Sequence, residues 1–457
     1  MDGERPLLLE EAAPRALRAR RYAWLGEAAV SALRAAALIA VGVLLGARGL
    51  HRADSRDEPA AGARKVRSSS PQHELLGHDK DCASVNFTQE TLMLISEGPI
   101  MRYFQMTARG ELATGDVLKA YEASDVTRRD TRFAGMGERP VLGAEHETFV
   151  VFDNARSIGR FSSLLDSERD FPPVMLQYPD DDGSPSEFEG LAYDSKKDIF
   201  YAVQESAAHA DGVMRAHVYE IALPTGGDGR RSVRVLAGPC DTEQTFSSAN
   251  KGFEGADWLP LPGANKQGGY LLAICEGNRC LGGEDGRQVG GGRIVMMEKR
   301  HPPSDAPDSN SSRCQWVTAG VLHVPPTAAF MDYSAIALRP AFDGSTDWAV
   351  AISSQENAAV WLGRLTLNPQ PGSHGAPHYD PARFALSKGR IYDFPRDNEC
   401  RRIYCNIEGI AWQGEDKLVA ASDQMKDGGR QDFRCWDKDQ SLHTFLVPTD
   451  DMLGDTS

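Results

Sequence analysis

The sequence predicts an all-β fold, a six-bladed β-propeller standing behind an N-terminal transmembrane helix. Three observations carry that expectation. A motif of the form FEGLA recurs down the chain: FAGMG at 133–137, FEGLA at 188–192, FEGAD at 253–257, YSAIA at 333–337 and IEGIA at 407–411. An apolar run follows each copy, reading FVVFDN, FYAVQES, YLLAICEGN, WAVAISSQEN and LVAASDQ. Each run carries a carboxylate at its far end: Asp153, Glu205, Glu276, Glu356 and Asp423. A sixth run, LMLISEG, ends at Glu97 without a leading copy. Strand, turn and acid-tipped strand repeated at blade-length intervals is the sequence form of a radial array of small sheets.

The first fifty residues form a separate unit. Residues 1–21 read as a cytosolic tail, with Arg15, Arg18, Arg20 and Arg21 just before an apolar stretch at 22–50. That stretch is read as an uncleaved signal anchor; its most apolar part is 35–46, and Glu27 and Arg34 interrupt the half before it. A span takes about 20 mostly apolar residues, and basic residues stay on the cytosolic side. A cleaved signal peptide is the competing reading of the same short apolar core. The tail also holds Glu4-Arg-Pro-Leu-Leu-Leu9, which is similar to an acidic dileucine sorting signal.

Residues 51–80, rich in Arg, Ser, Asp and Ala with little apolar pattern, read as a flexible stalk. The propeller is expected over 81–448, followed by an acidic tail at 449–457. Within a blade the motif strand leads and the acid-tipped strand follows. An outer strand such as HVYEIAL, GRIVMMEK or AVWLGRLTL comes next, and SVRVLAG, WVTAGVLHVP or GRIYDFP closes the unit. The incomplete cycle at Glu97 calls for a strand from the other terminus, supplied by 82–88 or 441–447, so that no edge is left unpaired.

All eight cysteines lie beyond the anchor, an even count that suits disulfides in an oxidising compartment. Cys275 with Cys280 and Cys400 with Cys405 are close enough in sequence to close small loops. Asn86 and Asn310 head glycosylation acceptor triplets. The net charge of −15 falls on the region beyond the nearly balanced tail and anchor, which argues against a nucleic-acid partner and leaves carboxylates available for cations.

Two sets of acids are the candidate chemistry. Glu189, Glu254 and Glu408 stand at the start of leading strands, where other copies carry Ala134 and Ser334. Asp153, Glu205, Glu276, Glu356 and Asp423, with Glu97, stand at the ends of the strands that follow. The start of one antiparallel strand lies beside the end of the next, so both sets are expected at one end of the barrel. Asn154, Asn278 and Asn357 add neutral oxygens there, and Gly190, Gly255 and Gly409 permit close backbone approach. Carboxylates gathered on one axis repel unless a cation neutralises them, and an all-oxygen set suits Ca²⁺ before Mg²⁺. The structural alternative is that each acid caps backbone N–H groups. No GxSxG or HExxH motif is present, and His146, His209, His217, His323 and His443 share no sequence context.

The segments EFEGLAYD, FYAVQES, VYEIAL, NKQGGYLLAICEGN and NIEGIAW resemble the phytase-like esterase family over roughly 84–448. More distantly the chain is similar to gluconolactonase, paraoxonase and strictosidine synthase propellers. The resemblance implies a calcium-type cation in the central tunnel, with Glu189, Glu254, Glu408, Glu205 and Glu276 as candidate ligands, and hydrolysis of esters, lactones or phosphoesters in some members. No Arg/Lys cluster stands ready to bind phosphate, which counts against a true phytase. Two readings follow: a lumenal metal-dependent hydrolase of a small-molecule ester or phosphoester, or a non-catalytic propeller that binds a protein or glycan.

Overall fold

The structure, a computed structural model, describes residues 91–100, 123–130, 146–162, 174–179, 185–209, 211–224, 232–248, 251–261, 263–300, 314–341, 346–371, 377–387, 389–397, 401–424, 435 and 438–447. They belong to the compact unit Leu76–Ser457. The expected cytosolic tail, anchor and stalk, together with Asn86, Asn310, Cys400 and the copy at 133–137, lie outside the described residues. Among the described residues no helix is long and apolar enough to cross a membrane.

The chain is all-β, as expected, and its strands sort into consecutive antiparallel sets. After β1 (Met93–Pro99) come β2 (Ala123–Asp130), β3 (His146–Phe152), β4 (Ser157–Ser162) and β5 (Val174–Gln177), paired in that order. The next set is β6 (Phe188–Asp194), β7 (Ile199–Ala208), β8 (Met214–Ala222) and β9 (Arg234–Phe246). The third is β10 (Phe253–Pro260), β11 (Gly269–Cys275), β12 (Arg293–Arg300) and β13 (Gln315–His323). A short parallel pairing of β9 with β13 joins the second and third sets into one eight-stranded sheet. The fourth set is β14 (Ala335–Pro340), β15 (Trp348–Ser354) and β16 (Ala359–Thr366). Beyond the small pair β17 (Gln370–Pro371) and β18 (Pro377–His378), β16 is edged by β19 (Ala385–Leu386) and β20 (Arg390–Asp393). The last is β21 (Ile407–Trp412), β22 (Lys417–Ser422) and β23 (Ser441–Leu446), with β1 added outside β23.

The expected six blades are therefore corrected to five among the described residues. The run ending at Glu97 is not the second strand of a sixth blade. It is β1, and it pairs antiparallel with β23, Glu97 opposite His443. A strand from the N-terminal side thus completes the blade built at the C-terminal side, which removes an exposed edge. The segment 441–447 does take part in closure, as the partner of β1.

Alternation explains why five blades close into a ring. Successive side chains of a strand point to opposite faces, so a buried strand supplies two seams. Phe149 and Val151 of β3 pack with Phe188, Leu191 and Phe200 of the second blade. Val150 and Phe152 of the same strand pack with Ala411, Val419 and Leu442 of the fifth. Equivalent cores join the second blade to the third through Tyr201, Trp258 and Trp316. The third meets the fourth through Leu272, Met296 and Trp361, and the fourth meets the fifth through Leu362, Ile407 and Phe445. Phe188, Phe253 and Tyr333 all serve these seams rather than a ligand platform.

Candidate functional site

The leading strands β2, β6, β10, β14 and β21 form the inner ring. In four of them the pairing register steps by one residue at the same place: between Ala123 and Asp125, Phe188 and Gly190, Phe253 and Gly255, and Ile407 and Gly409. The extra residue of each bulge is Ser124, Glu189, Glu254 or Glu408. A bulge takes one residue out of the ladder and re-aims its side chain, so the repeat places a polar side chain at one level in each of these blades. In the fifth strand Ser334 stands just before β14, its N–H bonded to Ser353 O at 3.0 Å.

Close backbone approach is required at the next position. A Cβ on Gly255 would stand 2.6 Å from Ala335 Cα, and one on Gly409 2.6 Å from Val126 N. A Cβ on Gly190 would meet Ala256 at 3.0 Å. The fourth seam is drawn in by Ser334 Oγ, which donates to Ile407 O at 2.8 Å.

Where these glycines leave space, β2 carries Asp125. Its carboxylate is buried and accepts the N–H of Val126 at 2.8 Å, of Leu191 at 2.7 Å and of Ala256 at 3.5 Å. One side chain thus links three inner strands. Burial pushes its pKa well above the usual carboxylate value, against the three amide hydrogen bonds. One residue past Ala256 on β10, Asp257 accepts the N–H of Trp258 at 2.7 Å and of Leu338 at 2.6 Å, and burial raises its pKa to about 7. Asp125 and Asp257 thus cap backbone N–H groups, the structural role that the sequence suggests as an alternative for the acids of the two sets rather than for these two residues.

Six of the expected acids come together above this layer. Glu189, Glu205 and Glu408 are buried. Burial pushes the Glu189 pKa well up, and the charges acting most strongly on it are Glu254, Glu408, Glu205 and Asp153. Glu254 is shifted the same way by burial and then by Glu276, Glu205 and Glu408, with Lys251 opposing. Lys251 Nζ donates to both oxygens of Glu276 at 2.6 Å. Burial pushes the Lys251 ammonium down, but Glu276, Glu254 and Glu205 outweigh it and hold its pKa above the usual value.

Two expected members stand elsewhere. Glu356 is exposed and pairs with Arg287 at 3.1 Å. The pairing of Ala335 with Ser353 makes Gln355, not Glu356, the counterpart of Glu276. Glu97 lies on the outermost strand of its blade, with His443, Lys438 and Tyr404. Asp423 follows β22 at the expected place and is buried, its N–H bonded to Asn406 O. Two of the three amides are structural: Asn278 Nδ2 donates to Gly286 O, Phe330 O and Met331 O, and Asn357 Oδ1 accepts from Met331 N.

Ser124 and Asp125 fall outside the motif as it is read from sequence, whose first copy stands at 133–137. The true inner strand reads ASDVT, and the connection from β2 to β3 is longer than in other blades. Aspartate in place of glycine hid the match.

The disulfides divide likewise. Cys275 pairs with Cys280 as expected, and Cys240 pairs with Cys314 across β9 and the entry to β13. Cys405 is bonded to Cys435, which corrects its pairing with Cys400. A groove of about 720 Å³, lined by Lys197, Tyr201, Glu220 and Lys299, lies at the opposite end of the strands from the acids.

No protein-family model matches the chain, and no curated protein matches it. Among solved structures it is similar to an exo-β-1,3-galactanase of Phanerochaete chrysosporium, with 10% identity, a TM-score of 0.31, and coverage of 71% of this chain and 63% of that one. Drosophila Semaphorin 1a gives 6% identity, a TM-score of 0.27, and coverage of 67% and 64%. A glucose dehydrogenase gives 12% identity, a TM-score of 0.31, and coverage of 72% and 98%. The chain thus spans less than two thirds of the length of the first two. Likeness at this level bears on neither activity nor ligand.

Proposed function

We propose that the acidic end of the ring is a hard-cation site, calcium before magnesium, and that the protein is a metal-dependent hydrolase of an ester or phosphoester. The observation that carries the reading is the set of Glu189, Glu254 and Glu408 on three equivalent bulges, mutually repelling and largely removed from water. Buried carboxylates that repel one another must either hold protons or share a cation. The donor set is all oxygen, which fits a hard ion. Glu189, Glu254 and Glu408 would hold it, with Asp153, Glu205 and Glu276 around them. When bound, such an ion supplies Lewis-acid polarisation and lowers the pKa of a bound water.

The chain's own groups support the rest. Lys251 holds the Glu276 carboxylate in one orientation and keeps a positive charge beside Glu254 and Glu205. Burial and the neighbouring acids push the pKa values of Glu189 and Glu254 up, an unfavourable interaction that a bound cation would relieve. The inner-strand contacts at Gly255 and Gly409, with Asp125 below, narrow the axis, so a substrate would approach from the acidic end.

The disulfides support an oxidising compartment, and the apolar stretch at 22–50 supports a single-pass anchor with the ring lumenal or extracellular. The test is hydrolysis of a panel of nitrophenyl esters and phosphoesters by the full chain. The expected result is turnover that chelator abolishes, calcium restores, and Glu254→Gln lowers by at least tenfold. Turnover indifferent to chelator, or absent across the panel while calcium binds, would replace the hydrolase with a cation-stabilised binding module.

A further inference from the structure

Outside the axis, the second blade brings together three side chains spaced 8 and 24 residues apart in sequence. His209 follows the end of β7, His217 stands on β8 and Asp241 on β9, with His217 and Asp241 opposite each other in register. One donor atom from each lies within 4.8 Å of the others. His209 Nδ1 is 3.5 Å from Asp241 Oδ2, and His217 Nε2 is 3.5 Å from Asp241 Oδ1.

Those distances are long for charge-assisted hydrogen bonds, which close to about 2.7–2.9 Å. They suit two ligands of one small ion. Donors about 2.0–2.1 Å from a tetrahedral centre stand about 3.3 Å apart.

The polar accounting points the same way. Gln204 Nε2 donates to Ser186 O at 2.9 Å, which leaves Gln204 Oε1, 3.1 Å from His217 Nδ1, as an acceptor. The Nδ1 must then carry the hydrogen, and in the neutral ring Nε2 turns its lone pair towards a carboxylate oxygen. Such a carbonyl on the far nitrogen is the usual partner of a metal-bound imidazole. Asp241 Oδ1 is buried without a hydrogen-bond partner among the described residues. Buried polar atoms are nearly always satisfied, so this carboxylate oxygen, facing the His217 ring, marks a missing partner.

The scaffold is rigid. His209 N–H is bonded to Val213 O at 3.0 Å, and Asp241 follows Cys240 of the Cys240–Cys314 disulfide.

We infer that His209, His217 and Asp241 form a second metal site, for a borderline divalent transition ion of the zinc class, with a fourth position open to solvent. Two imidazoles and one carboxylate are the donors such ions select, whereas calcium takes oxygen. The side chains are 12%, 19% and 24% exposed, so an ion can enter without unfolding the blade.

The test is titration of the metal-free full chain with zinc, and separately with cobalt, in excess calcium. The expected result is one equivalent of zinc that calcium does not displace and a tetrahedral cobalt spectrum. His217→Ala should weaken zinc at least a hundredfold, while Glu254→Gln leaves it within twofold. Should His217→Ala fail to fold, His209→Gln, placed after the end of β7, gives the same comparison. Zinc should also protect both histidines from diethyl pyrocarbonate. No zinc binding, or binding unchanged in His209→Gln but lost in Glu254→Gln, would overturn the site.

Discussion

Glu97 Oε2 lies 3.2 Å from His443 Nδ1 and so ties the first described strand to the last. Lys438 adds an ion pair to the same carboxylate. The hydrogen bond from His443 outweighs burial and, with Lys438, holds the Glu97 pKa down at about 2. Burial pushes the His443 imidazole down, which fits a neutral ring donating to an ionised carboxylate. A carboxyl whose folded pKa is depressed contributes stability above its ordinary value of 4.5 and loses it as pH falls towards 2. Glu97→Gln should cost about 1 kcal/mol near neutrality, since a third of the side chain is exposed and screened. The cost should vanish by pH 2, as read by urea unfolding at a series of pH values. A constant cost down to pH 2 would mean that shape, not charge, holds β1 in place.

Asp125 makes a different prediction. Its removal would orphan the N–H groups of Leu191 and Val126 inside the ring. Asp125→Ala should destabilise the fold by about 2–3 kcal/mol. Asp125→Asn keeps an acceptor and should cost less. Equal losses in the two variants would show that the amide bonds are not what Asp125 contributes.

Much of this architecture was legible because it repeats. HVYEIAL, GRIVMMEK and AVWLGRLTL fell on β8, β12 and β16, and the closing segments fell on β9, β13 and β20. Blade order follows from local hairpins, which periodicity reveals. Blade number did not follow, because LMLISEG and LVAASDQ look alike although one is an outer strand and the other a second strand. The difference lies in a pairing between β1 and β23, at opposite ends of the described chain, which no local pattern encodes. The site divides on the same line. Glu189, Glu254 and Glu408 share a bulge and were found together, whereas Asp125 interrupts the motif it belongs to. His209, His217 and Asp241 meet only through the register of three strands.

The glycine layer is testable by adding one carbon. Gly255→Ala would place a methyl 2.6 Å from Ala335 Cα, a contact that only a shift of backbone can relieve. The expected loss is about 1–3 kcal/mol, the cost of overpacking a closed interior. Gly263→Ala serves as a comparison, since a Cβ there meets nothing within 4 Å and the cost comes only from its positive φ of 87°. A smaller loss at Gly255 than at Gly263 would show that the inner strands are not in backbone contact.

The account rests most on the carboxylates of the inner ring acting as one cation site. Its most direct test is calcium titration of the chelator-treated full chain, followed by melting temperature and calorimetry, for wild type, Glu254→Gln and His217→Ala. A hundredfold excess over the dissociation constant should stabilise the wild-type fold by about 2.7 kcal/mol. The account predicts that Glu254→Gln loses most of that gain and that His217→Ala keeps it. A wild-type melting curve that calcium and chelator both leave unmoved would contradict it.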